Sequence, residues 1–372
     1  MHVPVSKPLF SELEKKYVLD ALEKGDISGF KGQYIKKFED QFATFCGVKH
    51  AVTVSSGTTA LHLALAVLGI KSDDEVLVSS LTNMATFFAV LYQNAKPIPV
   101  DCELETLNID PLLVEEKITD KTKAIIVVHL YGHPVDMDPI LALAKKYNLY
   151  VIEDAAEAHG AEYKGRKVGS LGDIGCFSFY ANKIVTTGEG GMITTNNPEL
   201  ADKARSLKAL AFGKENKFMH QDVGYNYRLT NLQSALGCAQ MDKIDLIIKK
   251  KRQMAEYYLK NLAGIEGLQL PVEKDYAFNV YWMFNLVLTG KLMGKRKEIM
   301  SQLEEKGVEV RDDFVPFNDQ EIFIKSDLTQ HEDCPLATQI GKNGFYIPSG
   351  TDISEEEQNY VIEQIKEVIK IF

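Results

Sequence analysis

Lys183 stands in the stretch FSFYANKIVTTGEGGMITTNN (Phe177 to Asn197), among aromatics, threonines and glycines rather than on a charged helix face. A lysine so poorly hydrated loses its proton more readily and becomes a nucleophile for carbonyls. Upstream, Asp154 ends the apolar run LYVIED, with Glu153 just before it and Glu157 one helical turn later. A carboxylate there can bind a metal, act as a base, pair with a cation or cap a helix. Further upstream, Ser55-Ser56-Gly57-Thr58-Thr59 leaves a β-rich run and opens an apolar helical one. Small residues and hydroxyls at a helix start form either a plain N-cap or an anion cradle of free amides. No P-loop lysine accompanies them, so a nucleoside triphosphate is not implied. In chain order, these parts match what pyridoxal 5′-phosphate needs. It takes a cup for its phosphate, a carboxylate for its ring nitrogen, and a lysine for the covalent link, here with Ser178 just ahead of it.

These groups need a scaffold. From Lys49 to Thr195 strand-like and helix-like patterns alternate: HAVTVSS then GTTALHLALAVLGI, DEVLVSS then TNMATFFAVLYQNA, KPIPV, TKAIIVVHLYG, a helix over Asp136 to Tyr147, and LYVIEDAAEA. Runs such as Ala124 to Val128 are apolar at every position, which predicts strands covered on both faces and a mostly parallel sheet. Ligands of such sheets bind beyond the carboxyl ends of the strands, where Ser56, Asp154 and Ser178 fall. A long helical region over Asn231 to Leu262 carries Lys249-Lys250-Lys251-Arg252, read as one solvated face. After it, NVYWMFNLVL reads as a strand, KRKEIMSQLEEKG as a helix, and a last helix starts at Glu355. The division expected is a large α/β domain over 1–250 and a small α+β domain over 251–372, with residues 1–26 packing on the small one.

The totals narrow the function. The chain has 372 residues, room for two domains, and a formal charge of −10, which gives no bulk attraction for nucleic acid. No apolar run of transmembrane length and no signal-peptide pattern is seen. The five cysteines are scattered, which suits free thiols in a reducing cytoplasm. His129 and His133 flank Gly132 in HLYGH before Pro134, so a strand end and turn is expected there, and no metal. GSLGDIG neither follows a clear strand nor opens a helix, so it is not a dinucleotide fingerprint. Trp282, in an apolar run, reads as core.

The strings SSGTTALHLAL, VHLYGHPVDM, VIEDAAEAHGAEYKGRKVGSLGDIGCFSFYANKIVTTGEGGMITTNN and VGYNYRLTNLQSALGCAQM, in order between Gly32 and Asp242, resemble the DegT/DnrJ/EryC1/StrS family. The resemblance implies a fold-type I aminotransferase dependent on pyridoxal 5′-phosphate, with a large domain of mostly parallel sheet and a small α+β C-terminal domain. It implies transfer of an amino group from L-glutamate to a nucleotide-linked 4-keto-6-deoxy sugar, of the kind used in O-antigen and lipopolysaccharide biosynthesis. A 3-keto sugar or a UDP- or dTDP-linked one is the alternative. A cofactor-binding regulator would need a binding appendage, and no basic helix-turn-helix pattern is visible.

Residue by residue, Lys183 matches the Schiff-base lysine, Asp154 the ring-nitrogen partner, and Glu157 the neighbour of the phenolic oxygen, where many relatives carry glutamine. Gly57, Thr58, Thr59 and Ser178 match the phosphate cup. GYNYR (Gly224 to Arg228) matches a loop reaching into the partner's site in a homodimer, with Asn226 for the phosphate and Arg228 for the substrate. Lysine at 183, in place of the histidine of a dehydratase branch, favours amino transfer. Two positions depart from the family. Asn83 replaces an aromatic that stacks on the ring, so either Phe87 or Phe88 compensates or a polar contact holds the ring. In VRDDFVPFNDQEIF, Asp312 follows Arg311 in place of proline and Asn318 stands near the place of a histidine, in a loop expected at the substrate.

Overall fold

The computed structural model describes residues 1–213, 215–220 and 222–372. After α1 (Glu12–Glu23) and α2 (Gln33–Cys46), strand and helix alternate as expected. The order is β1 (His50–Val54), α3 (Gly57–Leu68), β2 (Glu75–Ser79), α4 (Ala85–Tyr92), β3 (Lys96–Val100), a short α5 (Pro111–Val114), β4 (Thr122–Val128), α6 (Met137–Tyr147) and β5 (Tyr150–Asp154). A small hairpin of β6 (Glu162–Tyr163) and β7 (Arg166–Lys167) precedes β8 (Ile174–Ser178) and β9 (Gly191–Thr195). Seven strands form one sheet in the order β1-β9-β8-β5-β4-β2-β3, and β9 runs against both its neighbours while the other pairs are parallel. In β4, Ile125 and Val127 join Phe38, Phe42 and Ile140 on one face, while Ala124 and Ile126 join Leu63, Leu65 and Phe87 on the other. Successive side chains of a strand point to opposite faces, so an unbroken apolar run fills a core on each side.

The chain continues through α7 (Pro198–Leu207), α8 (Asn231–Met241) and α9 (Ile244–Leu262). The single long helix expected here is therefore two. The break falls at Asp242, whose carboxylate accepts the Tyr17 hydroxyl at 2.8 Å and the Gln41 amide at 2.6 Å, tying the turn to α1 and α2. The basic cluster is not one solvated face either. The buried stripe of α9 is Ile247, Lys251, Met254, Ala255 and Tyr258, so helical spacing turns Lys251 inward.

Beyond α9 come β10 (Leu268–Gln269), β11 (Ala277–Phe278), β12 (Phe284–Leu288), α10 (Arg296–Glu305), β13 (Arg311–Asp312), α11 (Glu321–Ile324), α12 (Pro335–Asn343), β14 (Gly344–Ile347) and α13 (Glu355–Ile369). An antiparallel sheet, β10-β12-β14-β13, packs Phe284, Leu286, Phe345 and Ile347 against Tyr258, Ile299, Val361 and Ile365. The remaining strand, β11, extends the β6–β7 hairpin. The strand expected over Asn279 to Leu288 is a strand only from Phe284. Its first half turns through Tyr281, at φ 48°, and gives the amides of Val280 and Trp282 to the carbonyls of Gly132 and Tyr131. At the N-terminus, Val3 bridges Val308 near the small sheet, whereas α1 lies against α8, with Glu14 accepting from Gln240 and pairing with Lys243. Among the described residues, no helix is long and apolar enough to cross a membrane.

Candidate active site

A cleft of about 290 Å³ opens at the carboxyl ends of β1, β5 and β8. Gly57, Thr58, Asp154, Glu157, Ser178 and Lys183 line it together. A wider groove between Thr122, Tyr150 and Asp173 lies at the opposite ends of the strands, away from these groups.

The cup forms where α3 begins. The Ser56 hydroxyl accepts the Thr59 amide at 3.1 Å, and the first intrahelical bond is from Ala60 to Ser56. The amides of Gly57 and Thr58 thus precede the helical ladder and point outward from its positive end. A side chain at Gly57 would bring its Cβ to 2.8 Å from Ser178 Cβ, so glycine is what lets the helix start close over the end of β8. Thr59 does not line the cleft; its hydroxyl is used in the cap, accepting the Ser56 amide at 3.0 Å.

Asp154 is buried, and its carboxylate accepts the Thr86 hydroxyl at 2.8 Å and the Ala156 amide at 3.2 Å. Burial raises its pKa, with those two hydrogen bonds opposing. Such a carboxylate gains by meeting a protonated ring nitrogen, and this is the fit the cofactor requires. Glu153 points the other way, where its carboxylate accepts the amides of Gly169, Leu171 and Gly172 at 2.7 Å.

Lys183 Nζ lies 3.5 Å from Glu157 Oε1 and 3.6 Å from the centroid of the Trp282 ring. Burial draws the Lys183 pKa down, while Glu157 and Asp154 oppose it. Burial pushes Glu157 up to about 7, with Lys183 opposing. Burial thus moves the two groups toward one another in proton affinity, which favours proton exchange between them. Behind the lysine, His159 is buried among Phe42, Phe177 and Phe179, and burial draws it down to about 3.

The far wall is aromatic: Trp282, Phe314 and Tyr346 line it. Tyr131, at φ 53°, stacks between Trp282 and Phe314, with ring centroids 6.2 and 5.9 Å away. Its amide donates to Glu157 Oε2 at 2.9 Å, and its hydroxyl donates to the buried Asp313, which also accepts Asn285 Nδ2 at 2.8 Å. Burial pushes Asp313 up to about 7.

Several expected residues lie elsewhere. Asn318 is fully buried, its Oδ1 accepts the Ser80 hydroxyl at 2.7 Å, and its Nδ2 donates to the His331 carbonyl and to Thr338, so it braces a loop away from the cleft. Neither phenylalanine stands in for the aromatic missing at Asn83. Phe87 stacks on Phe317 at 4.0 Å in the core, and Phe88 packs edge-on against Phe323. Asn83 itself lines the cleft, its Oδ1 accepting the Ala85 amide at 3.0 Å. Asn226 and Arg228 lie on an outer loop, Asn226 exposed and Arg228 half-buried, and neither lines the cleft of its own chain. His129 and His133 are buried at a strand end and turn, His129 beside Glu153. Among the described residues, no cluster of three or more His, Cys, Asp or Glu could hold a metal. Thr86, Tyr131, Phe314 and Tyr346 were missed as site residues. Only Thr86, a hydroxyl inside an otherwise apolar helix, carried a local signal.

The model of the DegT/DnrJ/EryC1/StrS aminotransferase family matches residues 8–366. The chain is 42% identical over 366 residues to GDP-perosamine synthase of Escherichia coli O157:H7, covering 98% of each. It is 35% identical over 338 residues to dTDP-3-amino-3,4,6-trideoxy-alpha-D-glucose transaminase of Streptomyces venezuelae, covering 90% of this chain and 87% of that one. Among solved structures it resembles S. venezuelae DesV in complex with a ketimine intermediate, with a TM-score of 0.90 and 34% identity, covering 96% of this chain and 94% of that one.

Proposed function

The chain belongs to the DegT/DnrJ/EryC1/StrS aminotransferase family and is a pyridoxal phosphate-dependent enzyme, and from that premise we propose that it moves an amino group from L-glutamate to a GDP-linked 4-keto-6-deoxy sugar. The observation that carries this reading is the convergence of Lys183, Asp154 and the Gly57–Thr58–Ser178 cup on one cleft, in a chain 42% identical over 366 residues to a GDP-perosamine synthase. When bound, the cofactor supplies an electron sink beside the amino-bearing carbon. The amides of Gly57 and Thr58 and the Ser178 hydroxyl hold its phosphate, and Asp154 keeps its ring nitrogen protonated. Lys183 would hold it covalently and, once displaced by the incoming amine, would take and return the proton at the amino-bearing carbon, with Glu157 at 3.5 Å to stabilise the ammonium form. Trp282, Phe314 and Tyr346 give the far side of the cleft an aromatic lining.

The site is completed by a second copy of the chain, with Asn226 meeting the phosphate and Arg228 the substrate of the partner site. The exposed apolar side chains of Phe30, Phe218, Met219 and Val223 support an interface on this side. Mixing a Lys183→Ala chain with an Arg228→Ala chain tests it: hybrid dimers should regain activity that neither parent has. The separate seven-stranded and four-stranded sheets support a division into a large domain over 1–250 and a small one over 251–372, with β11 reaching back to the β6–β7 hairpin. Five free, buried cysteines support a reducing cytoplasm as its compartment. The product class suits supply of an amino sugar for O-antigen.

The reading is tested with GDP-4-keto-6-deoxymannose and L-glutamate, which should yield the 4-amino sugar and 2-oxoglutarate. The second reading, a 3-keto or dTDP-linked substrate, draws on the 35% identity to the S. venezuelae transaminase. Turnover confined to UDP- or dTDP-linked or 3-keto sugars would replace the first reading with it.

A further inference from the structure

Lys251 is a lysine where packing alone would favour a leucine or methionine. It is 3% exposed on the inward stripe of α9, and no carboxylate pairs with it among the described residues. Its Nζ donates to two backbone carbonyls, that of Trp282 at 2.7 Å and that of Ser349. Burial of an unpaired amine is costly, and burial draws this one down to about 7. Two N–H groups satisfy both carbonyls, so the arrangement holds even when the amine is neutral.

The residue it grips is the one facing the catalytic lysine. Trp282 is held at three points: its carbonyl by Lys251, its amide by the Tyr131 carbonyl at 2.9 Å, and its indole N–H by the Asn182 carbonyl at 2.9 Å. The ring so fixed lies with its face 3.6 Å from Lys183 Nζ. Tyr281, just before it, is at φ 48°, so the segment is bent to bring the indole there. We infer that Lys251 is a positioning residue for amino transfer, which holds the Trp282 indole face against Lys183 through the Trp282 carbonyl. The inference rests on Lys183 being the cofactor-bearing lysine. The electron-rich face attracts the ammonium form of Lys183 and keeps the amine in place when it is not covalently engaged. The other ionisable groups facing that amine are Glu157, Asp154 and His159, and none touches Lys251.

The test uses full-length apo-protein, with added pyridoxal phosphate as the probe. The pH midpoint for its capture, followed by visible absorbance, reads the ionisation of Lys183. Lys251→Met should lower the midpoint by about 0.5 to 1 pH unit, because a freed indole no longer favours the charged amine. Trp282→Leu should lower it at least as far, and the double variant no further than Trp282→Leu alone. The emission of Trp282, the single tryptophan of the chain, should shift to the red in Lys251→Met. Tyr258→Phe is the control: it removes a buried hydroxyl of the same helix that donates to the Pro348 carbonyl at 2.8 Å. It should lower Tm and leave the midpoint unmoved. An unchanged midpoint in Lys251→Met, or shifts that add in the double variant, would overturn the inference. Should Lys251→Met not fold, Lys251→Gln should give a smaller shift of the same sign, and no shift there is equally fatal. Failure of the native chain to capture the cofactor at all would overturn both this inference and the assignment of Lys183.

Discussion

The two walls of the cleft are built by different rules. The near wall comes from short stretches at the ends of parallel strands: Ser56 to Thr58 after β1, Asp154 on β5, Ser178 on β8. Each group is placed by the strand it terminates, so a few consecutive residues specify it. The far wall comes from Trp282, Phe314 and Tyr346, held in place by Lys251, Tyr131 and Asp313. Those residues are distant in the chain and meet only when the small sheet docks. The difference separates tasks. On the proposed reading the near wall binds the cofactor and moves the proton, and the far wall shapes the space a sugar must enter.

Substitutions can break that division or sharpen it. Lys183→Ala should abolish the visible absorbance of bound cofactor and cut turnover by on the order of 10⁴-fold or more. Asp154→Asn, which keeps the shape and removes the charge, should cut kcat by about 10²- to 10³-fold. A far-wall change, Tyr346→Ala, should raise KM about tenfold with a smaller effect on kcat. A fall in kcat as large as that of Asp154→Asn would put the far wall in the chemistry. Glu157→Gln removes a negative charge that favours the Lys183 ammonium. The Lys183 pKa should therefore fall further, and the acid limb of cofactor capture should move to lower pH. A move to higher pH would show that Glu157 does not raise the lysine. Asn318→Ala should cost about 1 to 3 kcal/mol of stability, read as a lower Tm, with kcat/KM unchanged.

The near wall was legible in the sequence because its signals are local. An apolar run ending in Asp154, a glycine among hydroxyls at a helix start, and a lysine among small residues each carry their meaning within a few positions. The alternation of strands and helices was legible for the same reason. The cap at Thr59 is not legible, because a hydroxyl at that position can serve a cap or an anion, and here it serves the cap. The burial of Asn318 is not legible, because a polar residue in a loop gives no sign of being turned inward toward Ser80. Lys251 looked like one member of a basic run, and only helical phase against Ile247 and Tyr258 reveals it as buried. Trp282 is core as read, but its role beside Lys183 depends on a carbonyl contact from α9 that no pattern near residue 282 announces.

In the sheet order, β1 stands at the edge and pairs with β9 alone. A side chain at Gly191, where β9 starts, would bring its Cβ to 2.3 Å from the Ser56 carbonyl oxygen, so β9 packs directly against the start of α3. A ribosome therefore releases β1 and the start of α3 long before the strand that secures them. Early in synthesis the nascent chain holds an apolar strand with no partner in the finished sheet. The start of α3 gains that neighbour only once Gly191 to Thr195 has emerged, after Lys183. A chain cut short before β9 would therefore carry Lys183 while β1 and the start of α3 still lack the strand that packs against them.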